Sequence, residues 1–149
     1  MEKLLFRAKT IKHVQWIFGD LFHAGTEPSD GEFAISYWDD EDGWMNENVQ
    51  PKTIGQFTGL LDKNGKRIFE GDVVQWSKDN RKYVVKFRSG MFYASVEELN
   101  ERIHGGFPLW VLCEEEQPCT IVGNIFDDPK LLNHVVFSKN PNRCNIATR

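Results

Sequence analysis

The side chains in this sequence best equipped for chemistry are three cysteines, four histidines and two acidic runs. Their spacing withholds that chemistry. Cys113, Cys119 and Cys144 follow neither the CxxC spacing of redox enzymes nor that of zinc ribbons. Reduced, inert thiols are the expected state, with a Cys113–Cys119 metal or disulfide site as the alternative. His13, His23, His104 and His134 form no HExxH or HxH pair and read as ordinary surface or core residues. Asp39-Asp40-Glu41-Asp42 and Glu114-Glu115-Glu116 could offer carboxylates to a hard cation. Adjacent carboxylates on a loop point different ways, however, and the spacing is not that of an EF-hand. Gly55-Gln56-Phe57-Thr58-Gly59 lacks the Lys-Ser/Thr end of a phosphate loop, and neither GxSxG nor GxGxxG occurs. The residues therefore point to a protein that is not an enzyme, with no catalytic residue, no metal site and no cofactor.

Charge is the next candidate carrier of function, and it is unevenly placed. Between Thr26 and Gln50 stand eight acidic residues and no Lys or Arg, a balance of -8. Between Asp62 and Gly90, Lys63, Lys66, Arg67, Lys78, Arg81, Lys82, Lys86 and Arg88 face only four acidic residues, a balance of +4. The formal net charge of the 149 residues is -4, which removes the strongly basic composition of an unaided nucleic-acid binder. Three uses compete for this layout. The basic residues could form a face for a phosphate backbone, the acidic segment could imitate one, or the two could pair between subunits. Trp76, Tyr83, Phe87, Phe92 and Tyr93 interleave with the basic residues as stacking platforms would, or as the core of a small β-domain would.

The elements that must position these groups are short strands. In the first third, Lys3 to Ala8, Val14 to Phe18 and Phe33 to Trp38 are separated by Gly19-Asp20, Pro28-Ser29-Asp30-Gly31 and Asp42-Gly43, which is strand-and-turn spacing. From Pro51 the signals sharpen. Gln56 to Leu61 and Arg67 to Phe69 flank Asn64-Gly65, a hairpin whose turn needs positive φ. Val73 to Trp76, Lys82 to Phe87, Met91 to Ala94 and Cys119 to Phe126 follow, and these five short runs, counting the hairpin once, within about eighty residues predict a small barrel. Ser95-Val96-Glu97-Glu98 reads as a capping box opening a short helix with Val96, Leu99 and Ile103 on its core face. Asp127-Asp128-Pro129-Lys130-Leu131-Leu132 predicts a last helical turn with Pro at its start. The polar tail from Ser138 to Arg149 has a composition ordered more easily against its own barrel or a neighbouring subunit than as a separate core. The expected organisation is an N-terminal β-rich extension with an acidic loop (1–50), a barrel domain (51–132) and a polar tail (133–149). With no apolar run of leader or membrane-spanning length, a cytoplasmic protein that does not enter membranes is expected.

The block Pro51 to Leu60, followed by Asp62-Lys63-Asn64-Gly65-Lys66-Arg67-Ile68-Phe69-Glu70-Gly71-Asp72-Val73-Val74, resembles the signature of the YopX family, small proteins of bacteriophages and prophages. Ile121 to Phe126 with Asp128-Pro129 and Leu131-Leu132 is similar to that family's C-terminal motif, and Phe6-Arg7-Ala8 to its start, with Lys9 where an aromatic is usual. The resemblance implies an SH3-type barrel and a phage or prophage origin, and no settled activity. Each signature residue also has a structural reading. Gly55, Gly59, Gly65, Gly71 and Gly123 suit turns and close approaches, Asn64 suits the hairpin turn, and Asp72 suits capping its own turn by accepting backbone N–H groups. Thr53, Gln56 and Thr58 suit a buried hydrogen-bond network at a strand entry, or else a ligand-reading edge. The combined expectation is a mainly β, SH3-like small barrel with an appended N-terminal β-region and one or two short helices. It acts as a non-enzymatic interaction module that forms homo-oligomers and meets a host or phage protein. The alternative is weak nucleic-acid binding through the basic face.

Overall fold

The computed structural model describes residues 4–27, 31–96 and 105–132. It is mainly β, with strands β1 (Phe6–Lys9), β2 (Trp16–His23), β3 (Phe33–Asp39), β4 (Gly43–Val49), β5 (Gly55–Leu61), β6 (Arg67–Phe69), β7 (Asp72–Trp76), β8 (Lys82–Arg88), β9 (Met91–Ser95), β10 (Gly106–Pro108) and β11 (Cys119–Asn124). The chain divides into two compact units, Met1–Gly59 and Leu60–Arg149, so that β5 begins in the first and ends in the second. Among the described residues no helix is long and apolar enough to cross a membrane.

In the first unit the strands pair antiparallel in the order β4-β3-β2-β1-β5. Period-two alternation decides which side chains meet. Ile17 and Leu21 of β2, Phe33, Ile35 and Tyr37 of β3 and Val49 of β4 gather with Phe6, Ala8 and Ile54 into one core on one face of the sheet. The β3–β4 hairpin closes through the acidic run. Asp39 Oδ1 accepts the N–H groups of Glu41 at 2.8 Å and Asp42 at 3.0 Å, and the ladder starts at Asp39 opposite Gly43. The segment expected as an acidic loop is therefore largely a hairpin. Its second strand hid because Asn46, Glu47 and Asn48 lower its apolar content while leaving the alternation intact.

The second unit holds a five-stranded antiparallel sheet in the order β10-β9-β8-β7-β11. Tyr83 and Val85 of β8, Val74 and Trp76 of β7 and Ala94 of β9 face one core with Ile68, Leu109, Leu112 and Cys119. Val73 and Val84, pointing to the opposite face, are covered by Ile125, Leu131 and Leu132. This two-sided burial explains the continuous apolar character of β7 and β8. The sheet is open, with β10 and β11 as its edges, where sequence expected a barrel. The Asn64-Gly65 hairpin forms as expected, with β6 paired to β5 and Gly65 at φ +77, and β6 therefore lies in the sheet of β5 instead of in the five-stranded sheet. Its place is taken by β10, which sequence missed because its three residues, Gly106-Phe107-Pro108, read as punctuation. Ser95 is the last residue of β9, and the short helix expected after it falls on residues 97–104, which lie outside the described residues. Residues 129–132 form the last helical turn with Pro129 at its start. The tail from Ser138, His104, His134 and Cys144 also lie outside the described residues.

Candidate interaction surface

Residues of β2, β3 and β4 that alternate with the first unit's core point to the opposite face, and they are unusually aromatic. Even-numbered Trp16, Phe18 and Phe22 on β2 alternate with core-facing Ile17 and Leu21. Trp38 on β3 and Trp44 on β4 sit opposite each other in the ladder. Their rings meet edge to face, 5.6 Å between centroids and 81° between planes, the arrangement favoured by the ring quadrupole. Both stay open to solvent, 60% and 64% exposed. The register Phe22–Ala34–Asn48 places the small, buried Ala34 between longer neighbours. At the β1 border Arg7 and Lys9 share this face. The Arg7 guanidinium carbon lies 4.7 Å and the Lys9 Nζ 5.5 Å from the Trp16 ring centroid, within cation–π range.

The hairpin tip beside the Trp pair is acidic. Asp39, Asp40, Glu41 and Asp42 crowd one turn, and the two N–H donors from Asp42 and Glu41 hold the Asp39 carboxyl below its ordinary range. On the core-side face Tyr37 donates to Glu47 Oε1 at 2.7 Å, which raises the phenol above its ordinary value. At the other end of β4 the chain segment after β1 folds over its edge. Thr10 bridges Val49, Ile11 N–H donates to Asn48 O at 3.0 Å, and the Thr10 hydroxyl accepts from the N–H groups of His13 and Gln15.

The eight basic residues predicted as a binding face are spread through the second unit. Lys63 and Lys66 lie exposed in the β5–β6 turn, Arg67 exposed on β6, Lys78 and Arg81 exposed in the β7–β8 turn, Lys82 and Lys86 half-buried on β8, and Arg88 exposed at its end. Lys78, Arg81 and Lys82 come together at one end of the sheet. Arg88 lies six residues along β8 from Lys82, roughly 20 Å away at strand rise. Of the interleaved aromatics, Trp76 and Tyr83 are core residues, 5% and 2% exposed, while Phe87 is open. Lys78 Nζ covers the Trp76 ring at 5.2 Å, and Tyr83 donates to Asp79 Oδ2 at 2.5 Å. Desolvation and that bond push the Tyr83 phenol well above its ordinary value.

The signature residues occupy turns and strand junctions. Gly55 faces Arg7 across the β1–β5 ladder, and Gly59 lies within β5. Gly71 has φ +91, and a Cβ there would stand 2.8 Å from a Phe126 ring carbon. Its backbone receives Ile125 N–H and donates to Val85 O, tying three segments together. Asp72, buried, accepts Phe69 N–H at 2.8 Å. Gly123 stands where the β11–β7 register shifts. Thr53 accepts Lys9 N–H at 2.8 Å and donates to Gln50 O. Sequence passed over Asp62, whose Oδ1 accepts Asn64 N–H and Lys66 N–H while Oδ2 accepts Ile121 N–H. The legible signal was an Asp two residues before Asn-Gly, the spacing of an Asx-turn. Cys113 and Cys119 meet thiol to thiol. Their hydrogen bond lowers the Cys113 thiol and raises the buried Cys119 thiol. Among the described residues no three His, Cys, Asp or Glu side chains converge on a point where a metal could sit.

Residues 5–133 match the family described as YopX protein. Among solved structures, the crystal structure of protein EF1440 from Enterococcus faecalis is similar over 87% of this chain and 98% of that one, with 20% identity and a TM-score of 0.53, a likeness of fold. No curated protein matches the chain.

Proposed function

We propose that this chain, which belongs to the YopX family, is a non-enzymatic accessory protein that works by association, docking a protein partner on the outward aromatic face of β2, β3 and β4. The observation that carries the reading is the exposed Trp38–Trp44 pair. Large aromatics anchor most protein interfaces, and two tryptophans left open on a sheet face cost solubility unless they are used. The acidic tip beside them favours a partner with basic groups over a phosphate backbone. A cytoplasmic host or phage protein, or a further copy of the chain, fits that chemistry, and a phage or prophage origin suits an accessory role of this kind. The strand order of the second unit, with the 3-10 turn Leu109–Cys113 before its last strand, supports the finer reading of an SH3-type arrangement left open at β10 and β11.

Weak nucleic-acid binding is the second reading, favoured by the exposure of Lys78 and Arg81 and weakened by the burial of Trp76 and Tyr83, which leaves few rings to stack on bases. The test is in-cell cross-linking of the full chain with and without Trp38→Ala and Trp44→Ala together. The double variant should stay folded and lose the cross-linked protein partner. Retention of the same partner would overturn the reading, and recovery of nucleic acid in its place, released by salt, would favour the second.

A further inference from the structure

β4 is an edge strand of its sheet, and among the described residues the strand pairing on its outer backbone edge is confined to its C-terminal end. Asn48 O receives Ile11 N–H from the side away from β3, so the N–H and C=O of Asn48 point outward. Main-chain groups alternate along a strand, so those of Asn46 and Trp44 point outward as well. Among the described residues, the segment over Asn48 and Val49 pairs with only that end, which leaves residues 43–47 as a short template. Beside it runs a cleft of about 560 Å³, lined by Ile11, Lys12 and His13 on one side and by residues 45–48 of β4 on the other. Edge strands are ordinarily blunted by Lys, Pro or a bulge. Gly43–Val49 carries none of these, and it pairs with β3 in unbroken register.

We infer that the open edge of β4 is a self-association site, at which β4 of a second copy adds antiparallel about a two-fold axis. The inference rests on the reading that the chain works by association, and it adds the element and the occupant. The charges select a second copy over an arbitrary extended peptide. The acidic turn Asp39–Asp42 leads into the Gly43 end of β4, while Lys12 and His13 line the cleft along its residues 45–48. An antiparallel neighbour of identical sequence therefore brings its acidic turn to Lys12 and His13, and receives Lys12 and His13 of its own against the first copy's turn. A single two-fold contact satisfies both charge sets and both strand edges, as an isologous interface requires. A parallel neighbour would set acid against acid. Because side chains alternate across the pleat, the pairing also joins the two Trp38–Trp44 faces into one wider aromatic surface.

The test is the oligomeric state of the full chain by analytical ultracentrifugation at low and high salt. The expected result is a concentration-dependent dimer that weakens as salt rises, since its flanking charges are exposed. Asn46→Pro removes one outward N–H at a position where an edge strand tolerates proline, and it should weaken the dimer by about tenfold or more with an unchanged melting temperature of the monomer. A second pair of variants does not depend on that tolerance. Lys12→Glu with His13→Glu, and separately Asp40→Lys with Asp42→Lys, should each lose self-association, and an equimolar mixture of the two should dimerise. A monomer at every salt and concentration, or a mixture that stays monomeric, overturns the inference. A dimer that Asn46→Pro leaves intact overturns it too. The partner cross-link that depends on Trp38 and Trp44 is read separately, so either result can fail without the other.

Discussion

Trp44 and Trp76 lie on strands of similar length with opposite fates. In the first unit one sheet face carries the core and the other carries open rings. In the second, Val74 and Trp76 face one core while Val73 packs under Ile125, Leu131 and Leu132 on the other side. β4 alternates in burial, and β7 is buried at four of its five positions. The lesson is that aromatic content says little about use until the number of covered faces is known. Rings between two covered layers are core, and rings on a sheet covered once are available to something else.

The largest effect that could break this contrast is on stability. Trp76→Ala should lower the stability of the second unit by about 3–5 kcal/mol, because it removes a buried ring and its Nε1–H bond to Gln117 O. Trp38→Ala should cost about 1 kcal/mol or less, the scale of an exposed aromatic pair. Urea unfolding followed by circular dichroism compares them directly, and equal losses would mean that the outward face is covered after all. A middle-sized effect sharpens the contrast between turns. Asp62→Ala strands three backbone donors, one of them on β11, and should cost about 1–3 kcal/mol by the same measurement. A neutral result would show that solvent replaces those bonds.

The smallest effect concerns acid. Asp39 has its carboxyl held below 3.8 by two N–H donors, so the turn's contribution is present above that value and fades as pH falls through the lower native one. The edge-to-face Trp38–Trp44 signal in near-ultraviolet circular dichroism should therefore weaken below about pH 4. Signals from Trp76 should persist through the same range. Simultaneous loss of both would mean general acid unfolding rather than a local event at the hairpin tip.

Much of this was legible in the residues. Asn64-Gly65 placed the hairpin turn, Gly71-Asp72 the tight turn before β7, and Pro129 the last helical turn, because each depends on backbone chemistry within a few residues. The Trp38–Trp44 pairing is also legible, since the two stand symmetrically about a turn, but Asn46, Glu47 and Asn48 mask the alternation of β4. What could not be read locally was anything settled by a distant partner. β10 is a strand only because β9 offers it a ladder, and the second oxygen of Asp62 finds Ile121 59 residues away. Whether a basic residue belongs to a patch likewise depends on strand order, which separates Lys82 from Arg88 along β8 while gathering it with Lys78 and Arg81.

The two oxygens of Asp62 also set an order of events in time. One serves Asn64 and Lys66, contacts that form as soon as a handful of residues is free to move. The other waits for Ile121, and closing that 59-residue loop costs about 4 kcal/mol of chain entropy before β11 contributes anything in return. On a ribosome the turn is ready while the last strand is still unsynthesised, and β7 is left with one open side. The late arrival of β11, rather than formation of the early hairpin, then sets the pace at which the second unit becomes complete, as expected where contacts distant in sequence limit the folding rate.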